Sequence, residues 1–395
     1  MNYILISPTF PVNYWQFAKA LKEVDVHILA IGEDHYHTLR EELKVSLTDY
    51  YQVTSLSDYK QMYQACAYFA YKYGKIDWLE SNNEYWLIQD AKLRDDFNIN
   101  TGYKSHEIDK IKLKSHMKSY YQQANIPTAR YQLVSTLEKA KEFITNVGYP
   151  VCVKPDNGVG ANGTFKINNE EDLLRFFHLH LHQPYIMEEF IEGTIISYDG
   201  ICDQQGNILF ETCHYFPKPV MDIVNHQLET TYYSLKDIPE HVREVGTRVV
   251  NAFDIKARFF HLEFFILEQE KRGLGKKGDL VGLEVNMRPP GGYTTDMMNW
   301  ANDIDVYQIY SQMIKETMPN IPNHRPYHAI YIGRRSHQNY VYSLTQLKEK
   351  YPSILLESPM ASCMAPALGD LAIIARFKDM DDLKHFEHDA TLKAE

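Results

Sequence analysis

The chain has 395 residues, 44% apolar and 24% charged, with a formal net charge of −11; that length suits about two or three packed domains whose cores need no disulfide or metal staple. The acidic balance, with no basic stripe, argues against a nucleic-acid partner, and no run approaches the roughly 18 apolar residues of a membrane helix. Five scattered cysteines (Cys66, Cys152, Cys202, Cys213 and Cys363) without a CxxC pair suit free thiols in a reducing, cytoplasmic compartment.

An apolar run at Tyr3–Ile6 leads into a proline-rich loop, then Tyr14, Phe17, Ala18 and Leu21 at helical spacing, then a second apolar run from Val26 to Ile31. This is β–loop–α–β, the opening of a doubly wound α/β domain, expected over 1–105; the loop lacks GxGxxG, so no dinucleotide fingerprint is present. Leu113, Met117, Tyr120, Tyr121 and Ala124 form one apolar stripe, which predicts a long helix stopped at Asn125-Ile126-Pro127. A second helix carries Leu137, Ala140, Phe143, Ile144 and Val147 and ends at Gly148. The strand Val151–Lys154, a glycine loop, the strand Thr164–Ile167, a helix from about Asn169 and the strand Tyr185–Glu189 then read as a small α+β unit. Strands follow at Ile195–Cys202, Ile208–Phe216, Phe259–Leu267 and Leu280–Asn286, with helices at Glu240–Phe253 and Asp305–Lys315. A small α/β piece from about Tyr327 closes the chain.

The segment Phe259–Arg288 carries the clearest chemistry. Alternation puts His261, Glu263 and Phe265 on one face of the first strand, and Gly282, Glu284 and Asn286 on one face of the second. Joined as an antiparallel hairpin, the strands bring Glu263 beside Glu284 and Asn286. Neighbouring carboxylates on an apolar hairpin repel unless a cation sits between them. An all-oxygen donor set favours a hard ion, Mg2+ or Mn2+, which keeps waters and borrows phosphate oxygens. Arg288, two residues further with the same parity, is placed to meet those phosphates.

Two other segments suit a nucleotide. Lys154 ends an apolar strand and precedes a loop with Gly158, Gly160 and Gly163, where backbone N–H groups can approach an anion. The lysine precedes the glycines, so this is not a P-loop. Met187–Gly193 combines a strand end with a short linker whose backbone, with Glu188, suits an adenine. His178, His180 and His182 read as exposed loop histidines, and Cys213-His214 lacks an orienting third group for a nucleophile.

In this order the pieces resemble the ATP-grasp superfamily, most closely its carboxylate–amine (amino-acid) ligases, from about Glu107 to Trp300. The resemblance implies an ATP-grasp fold of mixed α/β and α+β class. Its parts would be the N-terminal α/β domain (1–105), an ATP-grasp domain (106–320) with a small mobile lid at about 128–189, and a C-terminal α/β subdomain (321–395) packed on that core. It implies that Lys114 and Lys154 bind ATP phosphates, that Gly158, Gly160 and Gly163 belong to the loop covering them, and that Glu188, Glu189 and Ile191 form the adenine hinge. Glu263, Glu284 and Asn286 would hold two Mg2+ ions, and Arg288 would contact phosphate or acyl phosphate, so that Arg288 and Lys154 serve catalysis. Two departures stand out. The acid that meets ribose hydroxyls in many members is replaced by Ile195, leaving Glu192 as the nearby alternative, and Asn125 stands where a glycine is usual.

The expected activity is ADP-forming amide or peptide bond formation from a small carboxylate and an amine through an acyl phosphate. The alternatives are a biotin-carboxylase-like or purine-biosynthetic ligase and a non-catalytic nucleotide-binding regulator. The substrate pocket is expected among the Pro8–Trp15 loop, the Cys213–His226 region and the Arg288–Tyr293 loop, with His214 or His226 as a base for the amine. A homodimer is the family-level expectation.

Overall fold

In the computed structural model, which describes residues 1–158, 163–179, 182–322 and 324–394, three sheets account for the described strands. The first is parallel, in the order Asp49–Gln52, His27–Gly32, Asn2–Ile6, Trp78–Glu80. Its inner strands are buried on both faces, so Tyr3, Ile4, Leu5 and Ile6 form a continuous apolar run rather than an alternating one.

The second sheet is small and antiparallel: Tyr131–Leu133, Tyr185–Glu189, Val151–Pro155, Phe165–Ile167. The helices Leu137–Val147 and Glu170–Phe177 cover it, closing a core of its own around Phe143, Val151, Leu173, Phe176 and Met187. Gly148, at φ 82°, ends the first of these helices, a left-handed turn that glycine takes without steric cost.

The third sheet has eight antiparallel strands, in the order Leu280–Asn286, Arg258–Leu267, Gly193–Cys202, Ile208–Phe216, Thr230–Ser234, His328–Arg334, Leu371–Phe377, Ile354–Pro359. The C-terminal segment therefore builds no sheet of its own; its three strands extend the sheet that carries the acidic hairpin. The strand Thr230–Ser234, which joins the two halves, was not read from the sequence. Its residues TTYYS are all buried and lack an apolar–polar alternation.

The long helix expected before Pro127 is two helices, Asp109–Lys112 and Lys114–Gln123, broken at Leu113 (φ −93°, ψ 117°). The break lets the second helix present its first turn to Asp156, at the end of the Val151–Pro155 strand. Ser115 donates to that carboxylate through N (2.7 Å) and Oγ (2.7 Å), and Lys114 N donates to the Asp156 carbonyl (3.0 Å). A carboxylate there satisfies orphan N–H groups and suits the helix dipole. Asn125 has φ 56°, so it serves the left-handed turn in place of a glycine.

Candidate functional site

The second and third sheets face each other across an open cleft, with the helix that starts at Lys114 beside it. Lys114, Lys154, Glu188, Glu263 and Glu284 line one part of it; Ala129, Ile191, Ile195, Phe265 and Leu283 make the rest largely apolar.

Glu263 and Glu284 are direct cross-strand partners, and His261 pairs with Asn286 two rungs further on. The hairpin is not regular, however. The register slips so that Phe264 faces Gly282, which leaves Leu283 as an extra residue. The parity expected for Gly282 is thereby reversed. It backs onto the Tyr121 ring, where a Cβ would lie 2.5 Å from Cε1, while Leu283 and Glu284 both reach the cleft. The bulge packs an apolar contact and an acid side by side, which strict alternation cannot do.

Lys114 Nζ lies 3.0 Å from Glu284 Oε1 and donates to the Gly158 carbonyl (3.1 Å). Gly158 thus meets the lysine through its oxygen. Gly163 adopts φ 71°, and Gly160 lies outside the described residues. Lys154 Nζ is 2.7 Å from Glu188 Oε2, and Lys118 pairs with the other oxygen. Burial opposes charge on all three groups. For Lys154 the adjacent Glu188 outweighs it and holds the ammonium well above its ordinary value. Lys118 and Lys154 in turn pull Glu188 down to about 2. Lys118 was missed in the sequence, although it stands one helical turn from Lys114 on the same face.

The hinge residues divide. The Glu188 side chain is committed to the two lysines, so its expected role toward an adenine amine is displaced by ion pairing. Glu189 points the opposite way, accepting from Arg130 N (2.8 Å) and Nη2 (2.7 Å), so only its backbone faces the cleft together with Ile191. Glu192 requires correction. It lies outside the cleft in a separate depression, and its carboxylate accepts from Gln269 Nε2 (2.7 Å). Gly193 begins the next strand, and the linker before it turns Glu192 outward.

Behind the two acids a polar row crosses the sheet. Register aligns Glu284, Glu263, Ser197, His214 and Ser234 on five successive strands. Asp199 takes the His214 Nδ1 at 2.7 Å on one oxygen and His261 Nδ1 on the other, while His261 Nε2 lies 3.5 Å from Glu263. Burial would lower the His261 pKa, but Asp199 and Glu263 raise it to about 10, so the ring is a cation between carboxylates. His214 is fully buried in this row and does not line the cleft, and His226 is exposed. Neither histidine is among the residues that line the cleft.

Arg288 reaches out of the hairpin to Glu84, in the short helical turn Glu84–Trp86 that follows the last strand of the N-terminal sheet. Its Nη2 is 2.6 Å from Glu84 Oε2 and 3.4 Å from Asn286 Oδ1; Lys112 Nζ is 3.4 Å from the other Glu84 oxygen. The Pro8–Trp15 and Arg288–Tyr293 loops do meet, through Asn13 Nδ2 donating to Gly292 O (3.3 Å) and Asp296 Oδ2 (2.5 Å). Among the described residues no three His, Cys, Asp or Glu side chains cluster as a self-sufficient metal site. Two opposed carboxylates with Asn286 nearby fit a hard cation that shares its shell with phosphate and water.

Residues 119–300 match the ATP-grasp domain family. The chain carries an ATP-grasp domain. Its fold resembles the L-amino acid ligase of Bacillus licheniformis (TM-score 0.71, 15% identity, covering 99% of this chain and 97% of that one). It equally resembles N5-carboxyaminoimidazole ribonucleotide synthetase of Thermotoga maritima (TM-score 0.70, 18% identity, 98% and 97%). At such identities the likeness speaks for the fold. In sequence, 108 residues are 28% identical to the C-terminal section of the carbamoyl phosphate synthase large chain of Methanopyrus kandleri, 26% of this chain and 20% of the relative. The match thus spans a fifth of that relative's length. The ATP-grasp match contains both acids of the hairpin, Lys154 and Glu188; Lys114 lies just ahead of it. Among the described residues no helix is long and apolar enough to cross a membrane.

Proposed function

We propose that this protein is an ATP-dependent, ADP-forming carboxylate–amine ligase acting on amino acids or similar small carboxylates. The observation that carries the reading is the pairing of Glu263 opposite Glu284 on one cleft with Lys114 and Lys154. Opposed acids and buried lysines in one cleft are what a metal-bound triphosphate requires. A bound Mg2+ would supply charge neutralisation between phosphate oxygens, held by Glu263, Glu284 and Asn286.

In this reading the ion pairs of the free protein are exchanged for ligand contacts. Lys114 gives up Glu284 for phosphate, and Lys154 extends from Glu188 to the same anion. The backbone of Glu189 and Ile191 receives the base. Arg288, held by Glu84, steadies the phosphoryl group as it passes to the substrate carboxylate. The amine then attacks the acyl carbon, and phosphate leaves. Phosphoryl transfer needs positioning and charge rather than a protein nucleophile. The glycine segment 158–163 is assigned to covering the phosphates and excluding water.

The test is a screen of amino-acid pairs for ATP-dependent phosphate release and dipeptide, repeated with Glu284→Gln. Activity should fall roughly 100-fold or more in the variant. Undiminished turnover would sink the metal assignment, and release driven by bicarbonate instead of an amino acid would move the substrate class.

A further inference from the structure

The cleft contains one acid that the reading above does not use. Asp222 lies in the short helix Val220–His226, and Pro219, Val220, Met221 and Asp222 together form a wall of the cleft. That placement follows from the sheet. The strand Ile208–Phe216 ends with Phe216 paired to Ile195, and Phe265 pairs with Ile195 from the other side. The chain leaving Phe216 must turn over Ile195, and three residues later it enters this helix. Buried Ile223 anchors the helix, and Arg335 clasps its exit by donating through Nε to Leu228 O (2.9 Å) and through Nη1 and Nη2 to Ala365 and Pro366 carbonyls (2.6 and 2.9 Å).

The other cleft carboxylates have cationic partners: Glu188 the two lysines, Glu189 Arg130, Glu284 Lys114, and Glu263 the His261 ring. Asp222 is half-buried, and its carboxylate has no hydrogen-bond donor or cation among the described residues. A carboxylate facing a nucleotide site repels phosphate. It is useful where the ligand offers hydroxyl or amine hydrogens, and a vicinal diol offers two to its two oxygens.

We infer that Asp222 is the ribose-binding residue of this cleft, accepting from the 2′- and 3′-hydroxyls of ATP above the apolar floor of Ile195 and Phe265. The assignment rests on the ATP reading above and adds the sugar contact, which Ile195 cannot make and Glu192 does not reach.

Calorimetric titration of the full chain with ATP and with 2′,3′-dideoxy-ATP, both with Mg2+, tests it. Wild type should favour ATP by roughly tenfold or more, the range for hydrogen bonds to a charged acceptor. Asp222→Ala should bind both nucleotides with the weaker affinity, and Asp222→Asn should keep part of the preference through its amide oxygen. A wild type that binds the two equally, or an Asp222→Ala protein that keeps the preference, overturns the assignment while leaving the ligase reading intact. Preference lost against inosine triphosphate but kept against the dideoxy sugar overturns it too, by putting the acid at the base. Absence of any ATP binding by folded wild type overturns the ligase reading and this assignment together.

Discussion

Glu84 shows how single side chains join distant parts of this protein. It is 6% exposed and faces both Arg288 and Lys112. Burial alone would raise its pKa, but the two cations outweigh burial and hold it at about 2. Between about 4.5 and 2 the unfolded chain therefore binds more protons than the folded one. The stability that Glu84 contributes is complete above about 4.5 and is lost as pH falls through about 2. Glu84→Gln leaves Arg288 and Lys112 buried without a carboxylate, which costs about 3–5 kcal/mol. Urea melts at pH 7 should show that loss, and the variant should lose less than wild type on going from pH 5 to pH 2. Equal acid sensitivity in both proteins would show that Glu84 does not set the acid limb.

The helix Glu240–Ala252 packs its Gly246 against the sheet so closely that a Cβ there would lie 2.1 Å from Tyr198 Cδ1. Tyr198 is fully buried and cannot swing away. Alanine is the better helix former by about 1 kcal/mol, while overpacking a filled core costs about 1–3 kcal/mol. The clash should win. Gly246→Ala is expected to destabilise the protein by up to about 2 kcal/mol in a denaturant titration, and a stabilised variant would mean the helix can lift off the sheet freely. The same closeness governs the acidic hairpin, where Tyr121 from the lysine-bearing helix occupies the space beside Gly282. That contact ties the position of Lys114 to the strand that carries Glu284.

Across the whole molecule, one apolar core runs from the N-terminal sheet into the large one, joining Tyr3, Leu5 and Phe17 to Ile201, Phe210, Phe259 and Tyr310. Two arginines of the large sheet cross the same boundary. Arg258 reaches Glu80 (3.1 Å), which also holds Arg94 (2.8 Å), and Arg288 reaches Glu84. A fragment of residues 106–395 would expose the large sheet's side of that core to water. Apolar surface returned to water costs about 25 cal/mol per Å², so roughly 300 Å² of it would consume about 7 kcal/mol of a total stability of about 5–15 kcal/mol. The fragment should show no cooperative thermal transition by circular dichroism; a sharp melt would mean that the ATP-grasp portion folds alone.

Much of this is legible in the amino-acid sequence alone. The acidic strands, the Val151 strand ending at Lys154, and the Tyr185–Glu189 strand all announce themselves by local periodicity, because a side chain's direction in a strand depends only on its neighbours in the chain. The residues that complete the cleft did not. Leu283 and Gly282 face as they do because of a bulge, which register with the partner strand decides. Glu192 turns outward, and Glu188 pairs with Lys118, because of how separate segments pack. Arg288 and Glu84 meet although 204 positions separate them. Local pattern is written in adjacent residues, whereas burial, bulges and ion pairs exist only once the chain has closed on itself.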